Sequence, residues 1–157
     1  MPRLLAPEAF NPLLQFRYMV TTSKLAGAAF YAKSAQQPTA QGNPVTVDYV
    51  NSYFKVHGKI RWDDITLSCY QFENITAQQL WGYLNQHQAV SSATDTYAPV
   101  YKHDLKIMML SPMETPIATW TLVGAFYTSI AWGDMDRSTD DVVLATATIS
   151  YDYALLS

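Results

Sequence analysis

Apolar and polar residues alternate with a period of two along much of this chain. The segment Val142 to Tyr153 shows it best, with an apolar face of Val143, Ala145, Ala147, Ile149, Tyr151 and Tyr153. The opposite, mostly small and polar face consists of Leu144, Thr146, Thr148, Ser150 and Asp152. Leu13 to Val20 alternates similarly, with Leu14, Phe16, Tyr18 and Val20 on one side. Half-buried β-strands have this pattern.

Further strands are predicted from the same alternation and from β-branched and aromatic residues. They cover Ala28 to Lys33, Val45 to about Ile60 with a turn or bulge at Gly58, Asp64 to Phe72, Tyr101 to Leu110 and Ala118 to Ile130. Ser34 to Pro44 is rich in proline and glutamine and is predicted to be a long loop, as is Ser91 to Pro99. Long loops in compact domains are often functional.

One helix is predicted, from Thr76 to Val90. Thr76 and Gln79 match a capping box, and Leu80, Tyr83, Leu84 and His87 form an apolar stripe that Trp81 widens. Residues 1–157 are therefore expected to form a single, mainly β domain. Two packed antiparallel sheets, sandwich-like or barrel-like, would carry one flanking α-helix.

The charge is low in total and unevenly distributed. The 157 residues include 10 basic and 13 acidic ones, 15% in all, whereas about a quarter is usual. Residues 1–61 carry seven basic and two acidic residues, a net +5, and residues 62–157 carry three and eleven, a net −8. This balance argues against a general nucleic-acid binder and suggests that one copy docks on another. Lys55, Lys59 and Arg61 would then lie near an acidic loop of the adjacent copy.

That acidic loop contains Asp134, Asp136, Asp140 and Asp141. The EF-hand order of ligands is not met, because Arg137 and Ser138 stand where a ligand and a glycine are needed. A solvated or interface-facing loop is favoured over a calcium site.

Catalytic and cofactor signatures are missing from the sequence. His57, His87 and His103 are scattered, Cys69 has no partner cysteine, and the common nucleotide-binding and nucleophile motifs do not occur. No catalytic residue, metal site or cofactor is predicted, and an enzyme is the least supported class. No segment has the roughly 18 consecutive apolar residues of a membrane-spanning helix. The strands are poor in Lys and Glu, so their edges are weakly protected against pairing with another subunit.

Three ordered motifs identify a family. They are Val-His-Gly-Lys leading into Trp-Asp-Asp-Ile-Thr-Leu, then Trp-x-Leu-x-Gly-Ala-Phe, then an Asp/Ser-rich link into Thr-Ile-Ser-Tyr-Asp-Tyr. From about Asn11 to Ala154 the chain resembles the tail tube proteins of contractile-tailed bacteriophages.

The resemblance implies a structural virion protein of the tail, assembled in the host cytoplasm. Six copies would close a ring whose inner strands form one barrel, and stacked rings would form a hollow tube through which the genome passes without specific binding. Expected partners are further copies and the tail sheath, baseplate, tape-measure and tail-terminator proteins.

The resemblance also implies roles for particular residues. An extended loop at about residues 34–54 would reach the adjacent ring. With the charged residues discussed above, the expected contacts are Gln36, Gln41, Val45, Val47, Tyr49, Tyr53, Phe54, Lys55, Lys59, Arg61, Asp134, Asp136, Asp140 and Asp141. The lumen would be lined by Thr146, Thr148, Ser150 and Asp152.

Two alternatives are retained. One is the tube of a non-viral contractile injection machine, which shares the fold and moves a protein effector. The other is a monomeric β-sandwich carbohydrate-binding module, which would expose some of Trp62, Trp81, Trp120 and Trp132. Aromatic residues spaced in this way more often belong to a core.

Overall fold

The computed structural model describes residues 13–22, 32–71, 81–82, 88–89, 94–95 and 97–157. The described strands are β1 (Tyr18–Thr22), β2 (Ala32–Ala35), β3 (Ala40–Tyr49), β4 (Ser52–Trp62), β5 (Ile65–Tyr70), β6 (Gln88–Ala89), β7 (Thr94–Asp95), β8 (His103–Leu110), β9 (Pro116–Ala131), β10 (Leu144–Ser150) and β11 (Tyr153–Leu156). A four-residue helix, α1, spans Ala98–Tyr101. The prediction of a mainly β protein with two antiparallel sheets is confirmed.

The two sheets share the 16-residue strand β9. Its first half lies between β8 and β11, and β1 completes sheet 1 in the order β1-β8-β9-β11. Its second half pairs with β10, which continues through β5 to β2 and completes sheet 2. All of these pairs are antiparallel, and the described strands form no closed barrel.

The passage of β9 from one sheet to the other occurs near Gly124. This glycine has φ +67°, and a Cβ there would overlap the carboxylate of Asp152. Asp152 accepts hydrogen bonds from Lys102 Nζ at 2.8 and 2.9 Å, and its N–H donates to the Val123 carbonyl at 3.0 Å. A residue without a side chain is therefore needed where the ion pair holds the link between β10 and β11 against β9.

The core lies between the inward faces of the two sheets. Ile65, Leu105, Leu122, Ile149 and Val20 are its largest fully buried side chains. The alternation predicted for β5 and β10 is confirmed, since Ile65, Leu67, Cys69, Ala145, Ala147, Ile149 and Tyr151 are buried. Burial raises the pKa of the Cys69 thiol to about 11, in agreement with an inert core cysteine.

Some predicted strand boundaries are wrong. Leu14 and Phe16 are exposed because a turn, closed by the Arg17 N–H donating to the Leu14 carbonyl at 3.1 Å, precedes β1. The strand is interrupted at Tyr151 and Asp152, between β10 and β11. Tyr153 therefore faces outward, and Ala154 takes the buried position. Tyr101 belongs to α1 rather than to a strand.

The predicted loops also differ from the structure. Ser34 to Pro44 is not one loop, since β2 includes Ser34 and Ala35 and β3 begins at Ala40. The expected loop from Ser91 to Pro99 contains β7 and the start of α1.

Most of the helix predicted from Thr76 to Val90 lies outside the described residues. Trp81 and Gly82 are helical, whereas Gln88–Ala89 is a short strand paired with Thr94–Asp95, so the predicted carboxyl end is wrong. The described residues do not include a long flanking helix. Nowhere in the described ranges is there a helix of the length and hydropathy needed to cross a bilayer.

Candidate assembly surfaces

A long β-hairpin, here called the arm (Ala40–Trp62), is the most exposed part of the described structure. Its strands pair from Ala40 opposite Trp62 to Tyr49 opposite Ser52. Every residue of β3 is exposed, and in β4 only Gly58 and Trp62 are half-buried. At 3.3 Å per residue, the ten residues of β3 span roughly 33 Å. Most of the segment expected to reach an adjacent ring is therefore a hairpin rather than a loop.

One face of the arm is apolar. Residues directly opposite each other in an antiparallel pair share a face, and the register pairs Val45 with Val56 and Val47 with Phe54. Tyr49 continues this face towards the tip. The exposed fractions are 50% for Val45, 38% for Val47, 70% for Tyr49, 53% for Phe54 and 42% for Val56. Contiguous exposed apolar patches are typical of interaction surfaces.

The charged residues of the arm are divided by a bulge. Ile60 pairs with Gly42 but His57 pairs with Pro44, so β4 has one extra residue at Gly58–Lys59. A Cβ on Gly58 would overlap the Asn43 carbonyl oxygen, so the bulge requires glycine. The extra residue reverses the alternation, and Lys55 and Arg61 consequently lie on opposite faces of the arm.

Two predicted contact residues lie at the base of the arm. Gln41 Nε2 donates to Asp63 Oδ2 at 2.6 Å. The Gln36 N–H donates to the Thr66 carbonyl at 3.1 Å, and Gln36 Oε1 accepts from the Thr66 N–H at 3.4 Å. Both glutamines therefore form hydrogen bonds within their own chain, close to the base of the arm.

The outward side of sheet 2 presents small hydroxyl groups. Thr146 pairs with Ser68, and Thr148 lies between Thr66 and Ser129. Ser34 lies opposite Ser68 on the far strand. We call this set the hydroxyl face: Ser34, Thr66, Ser68, Ser129, Thr146 and Thr148. The outward positions of β5 and β10 carry no charged residue.

Sequence reasoning had found part of this surface. The structure places Thr146, Thr148 and Ser150 of the predicted lumen set on the same side of β10, all half-buried. Asp152 lies apart, in the link to β11, where it is paired with Lys102. Ser34, Thr66, Ser68 and Ser129 were missed as lumen candidates. Thr66 and Ser68 lie in the strand predicted from Asp64 to Phe72, but the sequence does not indicate that this strand lies beside β10.

The acidic loop connects β9 to β10 and is exposed at Asp134, Asp136, Asp140 and Asp141. Asp136 Oδ1 accepts hydrogen bonds from the Ser138 N–H at 2.9 Å and from the Ser138 hydroxyl at 2.7 Å. These bonds lower the pKa of the Asp136 carboxyl, the backbone bond having the larger effect. In the described part of the chain, no three His, Cys, Asp or Glu side chains are grouped to hold a metal ion.

The acidic loop and the arm lie at opposite ends of sheet 2. The loop leads into β10 at Leu144, whereas the arm leads into β5 at Ile65, which pairs with Ile149 near the other end of β10. The seven residues of β10 separate these ends by roughly 23 Å. Lys55, Lys59 and Arg61 form no ion pair with the four aspartates among the described residues.

The tryptophans do not form an exposed row. Trp62 and Trp120 pack against the core, and the Trp62 ring lies 6.1 Å from that of Tyr151. Trp81 lies 6.1 Å from Trp132 in a tilted contact. Their placement agrees with the core interpretation for Trp62 and Trp120 and offers no flat sugar-binding platform.

Most of the chain matches a known protein family. The model of the T4-like virus tail tube protein gp19 family matches residues 14–154. The chain belongs to this tail tube family. The resemblance inferred from the sequence motifs is therefore confirmed. A search of curated proteins gave no match.

Solved structures of contractile machines share the fold. A chain in the cryo-EM structure of the anti-feeding prophage cap, the tube terminating cap, is 21% identical with a TM-score of 0.75, covering 98% of this chain and 99% of that one. A chain in the sheath/tube terminator of PVC, an extracellular contractile injection system, is 19% identical with a TM-score of 0.77, covering 95% and 99%. A chain of the PVC sheath-tube complex is 20% identical with a TM-score of 0.76, covering 93% and 91%.

Proposed function

We propose that this protein forms rings that stack into the hollow inner tube of a contractile tail. The exposed apolar face of the arm carries the proposal, because a monomer gains nothing from a roughly 33 Å hairpin whose Val45, Val47 and Phe54 face water. Burying a large apolar side chain completely stabilises an assembly by about 1.5–3 kcal/mol. Contact with an adjacent copy would supply that burial.

The strand order of sheet 2 supports lateral closure of a ring. Its four strands alternate in direction, so the two edges, the second half of β9 and β2, run in opposite directions. Identical copies placed side by side in one orientation could then pair β2 of one copy with β9 of the next in an antiparallel ladder. Neither edge is paired with another strand in the described residues. The family resemblance supplies the number of six copies.

The hydroxyl face suits the wall of the lumen. A lumen that conducts DNA must not bind phosphate groups, which attach to Lys and Arg. Thr66, Ser68, Thr146 and Thr148 present only neutral hydroxyls. We therefore propose that sheet 2 faces the channel and that the genome passes along it without specific binding.

The charges support head-to-tail stacking. The arm carries Lys55, Lys59 and Arg61, and the acidic loop at the far end of sheet 2 carries four aspartates. A contact between unlike surfaces of identical subunits repeats without closing, which produces filaments. Sheath and baseplate partners are proposed from the family, as are tape-measure and tail-terminator partners. The proposed role in the tail particle is structural, without catalysis.

The tube of a non-viral contractile injection system is the second candidate. It is favoured by the fold shared with chains of the PVC and anti-feeding prophage machines. The two candidates differ in cargo, which would be nucleic acid in a phage and a protein effector in an injection system. Recovery of the cargo from intact particles distinguishes them.

Purified protein tests the assembly. We expect negative-stain microscopy and light scattering on concentrated protein to show rings or tubes, and a helical reconstruction to place Thr148 on the channel wall. A protein that stays monomeric at every concentration contradicts the proposal. A tube with Thr148 on its outer surface contradicts the assignment of the lumen only.

Replacing Asp134, Asp136, Asp140 and Asp141 with Asn tests the stacking contact. We expect rings to persist while tube length or sheath binding decreases, because the arm loses its acidic partner. Added salt should reproduce the effect in the unmodified protein by screening exposed charges. Unchanged tube length and sheath binding would identify the loop as a solvated one.

A further inference from the structure

A polar pocket lies where the arm joins the two packed sheets. It has a volume of about 490 Å³. Its walls come from the end of the arm, from the two residues that follow the arm and from the link between β10 and β11. We call it the acidic pocket, because its charged side chains are three carboxylates and a single guanidinium. The lining includes Arg61, Trp62, Asp63, Asp64, Tyr151 and Asp152.

One carboxylate of the acidic pocket has no partner. Asp63 Oδ2 already accepts a hydrogen bond from Gln41 Nε2 at 2.6 Å. Asp152 Oδ1 is paired with Lys102 Nζ at 2.8 Å. Asp64 is exposed, and its carboxylate forms no hydrogen bond or ion pair among the described residues. The Asp64 carboxylate is therefore available to a cation from outside the chain.

The Tyr151 hydroxyl is the second unsatisfied group in the wall of the pocket. Tyr151 is only 7% exposed, and no hydrogen bond of normal geometry joins its buried hydroxyl oxygen to a described residue. Burial is the main cause that raises the pKa of Tyr151, the Thr39 backbone lowers it, and the charges of Asp63 and Asp64 raise it further. The hydroxyl therefore lies within the electrostatic influence of both carboxylates. Because an unpaired buried polar group is unfavourable, a ligand that donates to this oxygen gains from the contact.

The spacing of the carboxylates determines which kind of cation fits. In the described ranges no three His, Cys, Asp or Glu side chains are grouped closely enough to hold a metal ion. The three carboxylates of the pocket are thus distributed around a space rather than directed at one point. A primary ammonium group has three N–H donors and no acceptor, so it can bind several separated oxygens. The half-buried Trp62 adds an aromatic ring, which attracts organic cations.

We propose that the acidic pocket binds a small organic cation with a primary ammonium group. The ammonium N–H groups donate to the Asp64 carboxylate and to the Tyr151 hydroxyl oxygen, while the alkyl part lies beside Trp62. The bound cation connects the base of the arm to the link between β10 and β11. All of these groups belong to one chain, so the site goes beyond the proposed assembly and does not depend on it.

Saturation-transfer NMR with butylammonium chloride tests the site on the full chain, at an ionic strength held constant with NaCl. We expect saturation to pass from the protein to the butyl protons. Asp64→Asn should raise the dissociation constant at least about fivefold, because a charged acceptor is lost. Tyr151→Phe should raise it about threefold, because only a neutral hydroxyl is removed. Asp134→Asn, which removes an exposed carboxylate of the acidic loop, is the matched control and should leave it unchanged.

Two further measurements separate this site from general attraction to an acidic surface. Arg61→Gln removes the positive charge of the pocket and should lower the dissociation constant at least about twofold. Tetramethylammonium has the same charge as butylammonium but no N–H donor, so it should bind at least about fivefold more weakly.

Several results would overturn the proposal. They are the absence of saturation transfer in the unmodified protein, equal losses in the Asp64→Asn and Asp134→Asn variants, and equal binding of tetramethylammonium. Displacement of butylammonium by MgCl₂ beyond the effect of NaCl at the same ionic strength would overturn the choice of an organic ammonium over a metal ion. None of these results depends on whether tubes form, so the proposed function is tested separately.

Discussion

The arm and the two packed sheets, here called the body, both consist of strands with alternating apolar and polar residues. They differ in whether the apolar side chains are buried. In β5 and β10 the apolar positions lie in the core, with Ile65 and Ile149 each 1% exposed. In β3 and β4 the apolar positions Val45 and Phe54 remain at least half exposed. The apolar side chains of β5 and β10 thus stabilise the fold of the monomer, whereas Val45 and Phe54 bury much less surface within it.

The largest expected effect lies in the body. Leu122 is fully buried, at 0% exposure. The substitution Leu122→Ala should lower the free energy of unfolding by about 2–5 kcal/mol, because it leaves a cavity in the core. Chemical denaturation of the monomer measures this loss. Leu155→Ala is the matched control, since Leu155 is 55% exposed and should change stability by less than about 0.5 kcal/mol. Equal losses in both variants would contradict the assigned core.

A substitution on the apolar face of the arm should hardly change the stability of the monomer but should prevent assembly. Val47→Asp should leave the melting temperature of the monomer nearly unchanged but raise the concentration needed for tubes at least about tenfold, because a charge would enter the apolar contact. Thr46→Asp, one residue away on the other face, is the control and should assemble far better. If both variants assemble equally, the apolar face is not the contact surface.

The smallest effect concerns Cys69. Burial raises the pKa of this thiol to about 11 from an ordinary value of 9.0. The contribution of the buried neutral thiol to the free energy of unfolding is therefore fully present below pH 9. This contribution is lost as the pH rises towards 11, because the thiol ionises first in the unfolded chain. The stability of the native protein relative to Cys69→Ala should therefore fall by about 1 kcal/mol between pH 9 and 10.

Thiol labelling supplies the comparison with the arm. At pH 8, Cys69 should react with a maleimide only when the protein unfolds, whereas a cysteine introduced as Thr46→Cys on the arm should react at once. Rapid labelling of Cys69 in the folded monomer would contradict its burial.

Local alternation explains which features were predicted correctly. The buried positions of β5 and β10 could be read from the sequence because successive side chains of a strand point to opposite faces. The same rule placed Thr146, Thr148 and Ser150 together. The rule failed at Tyr153, because the interruption between β10 and β11 shifts the alternation. It also failed before Tyr18, where a turn replaces the predicted strand.

Proline and glutamine misled the prediction for Ser34 to Pro44. These residues disfavour a central strand, but among the described strands β3 pairs with β4 alone. Pro44 lies beside the irregular pairing at Gly58–Lys59. Proline is tolerated at such bulges and edges. The residues that indicated a loop therefore belong in part to an exposed hairpin, in which they are tolerated.

The sequence by itself determined the alternation of β5 and β10 with their buried residues, the uneven charge and the tail tube family. Each of these depends on residue order or composition. Only the tertiary structure decided that β9 serves both sheets, that hydroxyl groups from four strands share one face, and that the arm and the acidic loop lie at opposite ends. These features depend on pairing between distant segments, such as β5 with β10, and a periodicity of two specifies a face without specifying the neighbouring strand.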